Sequence, residues 1–197
     1  MSACISVSIR ELPWDEKRGT GGMYFFILTE AMLFVALFFS YFYLGRNAPQ
    51  WPLDAPPKLL LATIMLAVLL SSSAVLLWAE RLAKRGRAGA ARAATLGTIA
   101  LGIGFIVLQG FEYRNHLREL LPTQDSYGSI FYTITTIHGA HVVLGLLMLL
   151  YAVALPRLEP AGKPPHRPLH NAALYWHFVD VVWVLIVGIL YYLPHLE

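Results

Sequence analysis

The sequence predicts an all-α integral membrane bundle of five transmembrane helices, and three observations predict it. Of 197 residues, 57% are hydrophobic and 14% charged, with a mean hydropathy of +0.56, whereas soluble domains carry about 25% charged residues. Five apolar runs recur, each near the roughly 20 residues that a bilayer core demands. The charges, prolines and turn-forming glycines collect in the gaps between those runs. A water-soluble enzyme, a disordered chain and a fibrous protein are excluded. The formal charge of +3 and the pI near 9.1 do not indicate nucleic acid, because the cations sit in short gaps rather than along one exposed face. Cys4 is the only cysteine, so no internal disulfide, CxxC zinc or redox pair, CxxCH haem attachment or dithiolate copper site can form.

Taken in order, residues 1–22 are polar, with Arg10, Glu11, Asp15, Glu16, Lys17 and Arg18 and no apolar h-region. They read as a cytoplasmic tail without a cleavable signal, so that the first span itself directs insertion. The membrane domain covers 23–193, with spans at about 23–45, 59–79, 94–111, 127–155 and 173–193. The fourth run is long enough to tilt. Breakers separate the spans: Pro49, Pro52, Pro56 and Pro57, then Gly86 and Gly89, then Pro122, then Pro156, Pro160, Pro164, Pro165 and Pro168. Eleven Lys and Arg fall on the side of the N-terminus and four on the other. The N-terminus is therefore expected in the cytoplasm and the C-terminus outside. There is no internal repeat.

An ionisable group inside a span costs a few kcal/mol on insertion scales and needs a partner or a purpose. Glu30 lies seven residues into the first span, roughly 10 Å deep at 1.5 Å per residue. His177 and Asp180 enter the fifth span to a comparable depth, and their spacing of three puts them on one helix face. His138 and His141 repeat that spacing in the fourth span, beside Thr133, Thr135, Thr136 and Gly139. Glu112 and His116 mark the outer boundary of span three. Three readings fit this set. The groups hydrogen-bond across helices, at about 0.6 kcal/mol each on average; or the histidines ligate a metal or haem; or Glu30 serves a proton or lipid role.

Ser71, Ser72 and Ser73 are expected to pack and hydrogen-bond, with no base placed to activate a nucleophile. Gly97, Gly102 and Gly104 are expected at tight helix contacts. Trp51, Trp78, Tyr175, Trp176, Tyr191 and Tyr192 lie near span ends, as an interfacial aromatic belt does. No phosphate loop, nucleophile elbow or HExxH occurs.

The fifth span is the most specific segment. Tyr175-Trp176-His177-Phe178-Val179-Asp180-Val181-Val182-Trp183 resembles the signature of subunit III of the haem-copper terminal oxidases, the cytochrome c and quinol oxidase family. The fourth span agrees, with Tyr127-Gly128-Ser129 followed by Thr136-Ile137-His138-Gly139-Ala140-His141-Val142. So do Thr29-Glu30-Ala31-Met32-Leu33-Phe34, Leu69-Leu70-Ser71-Ser72-Ser73 and Gln109-Gly110-Phe111-Glu112-Tyr113, all in family order. The likeness covers residues 20–194.

The resemblance implies an accessory subunit with no catalytic centre, haem, copper or other metal of its own. Haem and copper are expected in partner subunits of an oxidoreductase complex that reduces oxygen and translocates protons. The partners are subunits I and II and phospholipid, in a membrane-embedded hetero-oligomer that touches no nucleic acid. Such a chain packs on subunit I, holds lipid, and supports proton uptake and the stability of the complex. Glu30 matches the family's buried carboxylate, which reacts with a hydrophobic carbodiimide. On this reading Glu30, His138, His141, His177 and Asp180 form a buried polar network, with Glu112 at a motif boundary. The location implied is the bacterial cell (inner) membrane. Longer members have seven helices and this chain lacks the first two, so it resembles the short five-helix form. The likeness extends to the subunit III-like partner of nitric oxide reductase. A stand-alone proton-coupled transporter, with Glu30, His141 and Asp180 as relay, is the alternative of another class. Broken helices or an inverted repeat would mark it, and the sequence has neither.

Overall fold

The computed structural model describes residues 15–48, 51, 59–116, 126–154 and 166–195. They form five helices: α1 (Asp15–Asn47), α2 (Leu59–Lys84), α3 (Ala88–His116), α4 (Ser126–Ala154) and α5 (His166–Ile186). α5 continues through a π-helical stretch, Val187–Tyr192, into a short 3₁₀ turn, Leu193–His195. Each of the five contains a stretch long and apolar enough to cross a membrane, and the chain is a multi-pass membrane protein.

The helices outrun the apolar runs, because a helical backbone does not stop where hydrocarbon ends. It continues through polar residues that favour helix until a breaker intervenes. α2 extends five residues beyond the expected 79, through Glu80, Arg81, Leu82, Ala83 and Lys84, all good helix formers. It halts where Gly86 takes φ +72°. α3 starts six residues early, on the alanine-rich segment from Ala88. The expected loop of 80–93 therefore shrinks to Arg85, Gly86 and Arg87. α5 starts at His166 and takes Pro168 into its first turn, where an imino acid forfeits no intrahelical bond.

α2 buries Ala62, Met65, Leu69, Ser72, Leu76 and Ala79, an alternation of three and four residues that forms a coiled-coil-like seam. α2 pairs most extensively with α3, and α3 packs on α4. α5 lies at the centre, against α1, α2 and α4. In its most apolar stretch 56% of residues are buried within the chain, against 17% in α1, the least buried helix.

That central position corrects the aromatic-belt expectation. Tyr175, Trp176 and Tyr191 are 0% exposed and belong to the core, while Trp78 and Tyr192 do lie at the surface. Trp176 is the wedge of the bundle. Its Nε1–H donates to Ser72 Oγ on α2 at 2.9 Å. Its ring fills notches left by Gly102 on α3 and Gly145 on α4, where an added Cβ would sit 2.6 and 2.8 Å from it. The tight contact expected at Gly102 is present. At Gly104 it is absent, with nothing within 4 Å, because that residue turns away from both neighbouring helices.

Candidate functional site

The ionisable side chains expected inside spans one, four and five sort into two seams and one isolated ring. On the first seam, α1 presents Glu30 to His141 of α4, with Nε2 at 2.8 Å from Oε2. His141 Nδ1 lies 2.7 Å from the Ile137 carbonyl one turn back. A carbonyl only accepts, so Nδ1 carries a hydrogen and that tautomer is set by the helix itself. One proton therefore lies between Nε2 and Oε2, borne by the imidazole or by the carboxyl. The pair is half-buried, with side-chain exposures of 12% for His141 and 23% for Glu30. The Phe34 ring, one turn along α1 from Glu30, stands edge-on to the imidazole at 5.0 Å.

The second seam joins α2 to α5. His177 Nδ1–H donates to Ser73 Oγ at 2.7 Å, and the Ser73 hydroxyl donates in turn to Asp180 Oδ2. The two α5 side chains lie 3.9 Å apart, as their spacing predicts. An imidazole does touch Ser73, brought there by a helix far along the chain. The chemistry is nevertheless that of a tether: the hydroxyl proton is given to the carboxylate, and the imidazole donates rather than accepts. Ser72 and Ser71 hydrogen-bond to backbone carbonyls of their own helix, as expected. The Nε2 of His177 and the Oδ1 of Asp180 are buried with no partner among the described residues.

His138 joins neither seam. It is 0% exposed, stacked on Trp183 at 4.9 Å and met edge-on by Phe105 at 5.8 Å and Phe34 at 6.3 Å. Neither ring nitrogen has a hydrogen-bond partner among the described residues. Three residues on a helix leave a rotation of about 60°. That is enough to aim His138 into the aromatic core while His141 reaches Glu30.

A further polar group sits toward the other ends of the helices. Glu112 is 2% exposed and accepts from the Tyr191 hydroxyl at 2.8 Å. Gln109, one turn earlier on α3, donates to the Thr135 carbonyl at 2.8 Å, and the Tyr113 hydroxyl donates to Thr135 Oγ1 at 2.8 Å. Tyr191 lies in the π-helical stretch, closed by the Leu193 N–H on the Gly188 carbonyl. Such stretches shift the facing of the residues that follow. In the sequence Glu112 stands at a span boundary and Tyr191 near a span end. The signal that could have joined them is a carboxylate at the end of an apolar run, which demands a donor. The side chain of His116 lies outside the described residues. No cluster of three or more His, Cys, Asp and Glu that could hold a metal ion occurs among the described residues.

The sequence matches the family profile described as cytochrome c oxidase subunit III over residues 17–195. Among curated proteins, it is 35% identical over 176 residues to cytochrome c oxidase subunit 3 of Synechocystis sp., covering 87% of this chain and 74% of that relative. The Triticum aestivum protein of the same name is 34% identical over 183 residues, covering 87% of this chain and 67% of its own length. That of Drosophila yakuba is 32% identical over 180 residues, covering 87% and 68% respectively.

Proposed function

The chain belongs to the cytochrome c oxidase subunit III family, and from that premise we propose that it serves as the accessory, cofactor-free subunit III of a haem-copper terminal oxidase in aerobic respiration. The observation that carries this reading is the match over residues 17–195, which takes in all five helices. In this role the chain packs on subunit I, with subunit II in the same complex. It contributes no haem or copper, holds phospholipid, and supports proton uptake and the lifetime of the oxygen-reducing centre. It sits in the bacterial inner membrane with its N-terminus in the cytoplasm, as the distribution of Lys and Arg suggests.

Glu30 and His141 supply the chemistry of that role within this chain. A half-buried acid–base pair on the least buried helix keeps one proton in place where apolar surroundings make a lone charge costly. It thereby anchors α1 to α4 and gives the side wall a polar point at which lipid or subunit I is ordered. The Ser73–His177–Asp180 tether fixes α2 to α5 behind that wall. The unbroken course of α1 to α4 favours an accessory subunit over a transporter built on interrupted helices.

The test is a mild-detergent pull-down from native membranes, with mass spectrometry of everything retained. Recovery of a haem-copper subunit I and a subunit II is the expected result. Recovery of the chain alone refutes the assignment, and a nitric oxide reductase catalytic subunit would reassign it. Within the assembled oxidase, Glu30→Ala is expected to reduce retained lipid and shorten turnover lifetime. Unchanged lipid, lifetime and proton uptake would overturn the role given to Glu30.

A further inference from the structure

The end of the molecule where α2 turns into α3 concentrates positive charge that the reading above leaves unused. α2 closes with the Gly86 N–H on the Ala83 carbonyl and the Arg87 N–H on the Leu82 carbonyl, both at 3.0 Å. Those paired bonds end a helix on a left-handed glycine. The turn is so short that Arg81, Lys84, Arg85 and Arg87 crowd one end of the hairpin, all four exposed. Of the acidic residues on these two helices, Glu112 lies at the far end of α3. Glu80 is nearby, but its side chain is 13% exposed and engaged by His170 at 3.0 Å.

The cations also continue an apolar stripe. Leu70, Leu77, Arg81 and Arg85 follow one another at spacings of seven, four and four, and Trp78 lies three before Arg81, which keeps all five within about 100° of arc on one side of α2. Leu70, Leu77 and Trp78 are 46%, 42% and 57% exposed. One exposed face thus runs from leucines, through an indole, to two guanidinium groups. From Leu70 to Arg85 it is about 22 Å long at 1.5 Å per residue. One leaflet of a bilayer, headgroup included, measures about 20–22 Å.

We propose that this face is a binding site for an anionic phospholipid of the phosphatidylglycerol type. The acyl chain lies along Leu70 and Leu77, Trp78 sits at the ester level, and Arg81, Arg85 and Arg87 hold the phosphate. Guanidinium groups suit that task because they bind phosphate oxygens in pairs. An acidic protein segment would meet the same cations, but it has no use for the leucines and the indole that lead up to them.

The test places the full-length chain, in its native complex or alone, in phosphatidylcholine nanodiscs with spin-labelled phosphatidylglycerol or phosphatidylcholine. Electron paramagnetic resonance reads the relative association of the two lipids. The wild type is expected to prefer phosphatidylglycerol, and added salt to weaken the preference. The triple variant Arg81→Gln, Arg85→Gln, Arg87→Gln lowers the preference at least about fivefold, the equivalent of the roughly 1 kcal/mol that one cation contributes at an anionic surface. The corresponding triple replacement by lysine, which keeps the charge, retains most of it. Circular dichroism confirms that the helices survive these surface changes. A wild type without preference, or a glutamine triple that keeps it, overturns the proposal. Loss of a partner subunit from the triple with lipid preference intact assigns the turn to an acidic protein segment instead. Because the measurement reads this chain whatever its partners, it stands or falls separately from the oxidase assignment.

Discussion

Exchanging Gly102 and, separately, Gly104 for alanine isolates the part Trp176 plays in holding the bundle together. A methyl group at 102 meets the Trp176 ring at 2.6 Å and Leu146 Cδ2 at 2.7 Å, about 1 Å inside the usual carbon–carbon separation of 3.5–4.0 Å. Leu146 can swing aside. Trp176 cannot, because its Nε1–H is bound to Ser72 Oγ at 2.9 Å and its ring rests against Gly145. Overpacking of this kind costs about 1–3 kcal/mol. Alanine also brings its better helix propensity, about 0.8–1.0 kcal/mol over glycine. At Gly104, where nothing lies within 4 Å, that gain stands alone. Propensity cancels between the two variants, so Gly102→Ala is expected to be less stable than Gly104→Ala by the overpacking cost alone, about 1–3 kcal/mol. Unfolding by increasing mole fraction of dodecyl sulfate in mixed micelles, followed by far-ultraviolet circular dichroism, gives both values. Equal midpoints for the two variants would mean that the Trp176 wedge does not set the separation of α3 from α5.

Three other expectations rest on single contacts. Tyr191→Phe removes only the hydroxyl that donates to the buried Glu112 and is expected to destabilise by about 1–3 kcal/mol in the same titration; a change near zero would show that the bond contributes nothing net. Ser73→Ala deprives both His177 and Asp180 of their shared partner, with a similar expected loss of about 1–3 kcal/mol. Adding His177→Ala to it should cost less than the two single changes summed, and strict additivity would refute the tether. Gly86→Ala forces a Cβ into φ +72° and should cost about 1–2 kcal/mol. A thermal midpoint equal to that of wild type in detergent would show that the hairpin does not need its left-handed turn.

The resemblance spans residues 20–194 and the family match residues 17–195, and the apolar runs reappear as helices. Where reasoning from sequence went astray, the error lay in facing rather than in location. Tyr175, Trp176 and Tyr191 stand near span ends, as belt residues do, yet α5 is the central helix and turns them inward. Ser73 has no base beside it in sequence, because His177 arrives from a helix 104 residues away. His138 and His141 share a motif and a spacing but not an environment.

The number of spans, their order and their composition follow from the sequence alone, because insertion into a bilayer is decided by hydrophobicity summed over about 20 neighbouring residues. The family is legible for a similar reason, since its motifs are short and contiguous. Which carboxylate meets which imidazole was decided only by the tertiary structure. A rotation of about 60° per three residues and the packing of α5 among its neighbours bring Glu30 to His141 and Ser73 to His177 and Asp180, and leave His138 among rings. Those pairings depend on side chains more than 100 residues apart in sequence, and no local pattern encodes the angle at which two helices come to face each other.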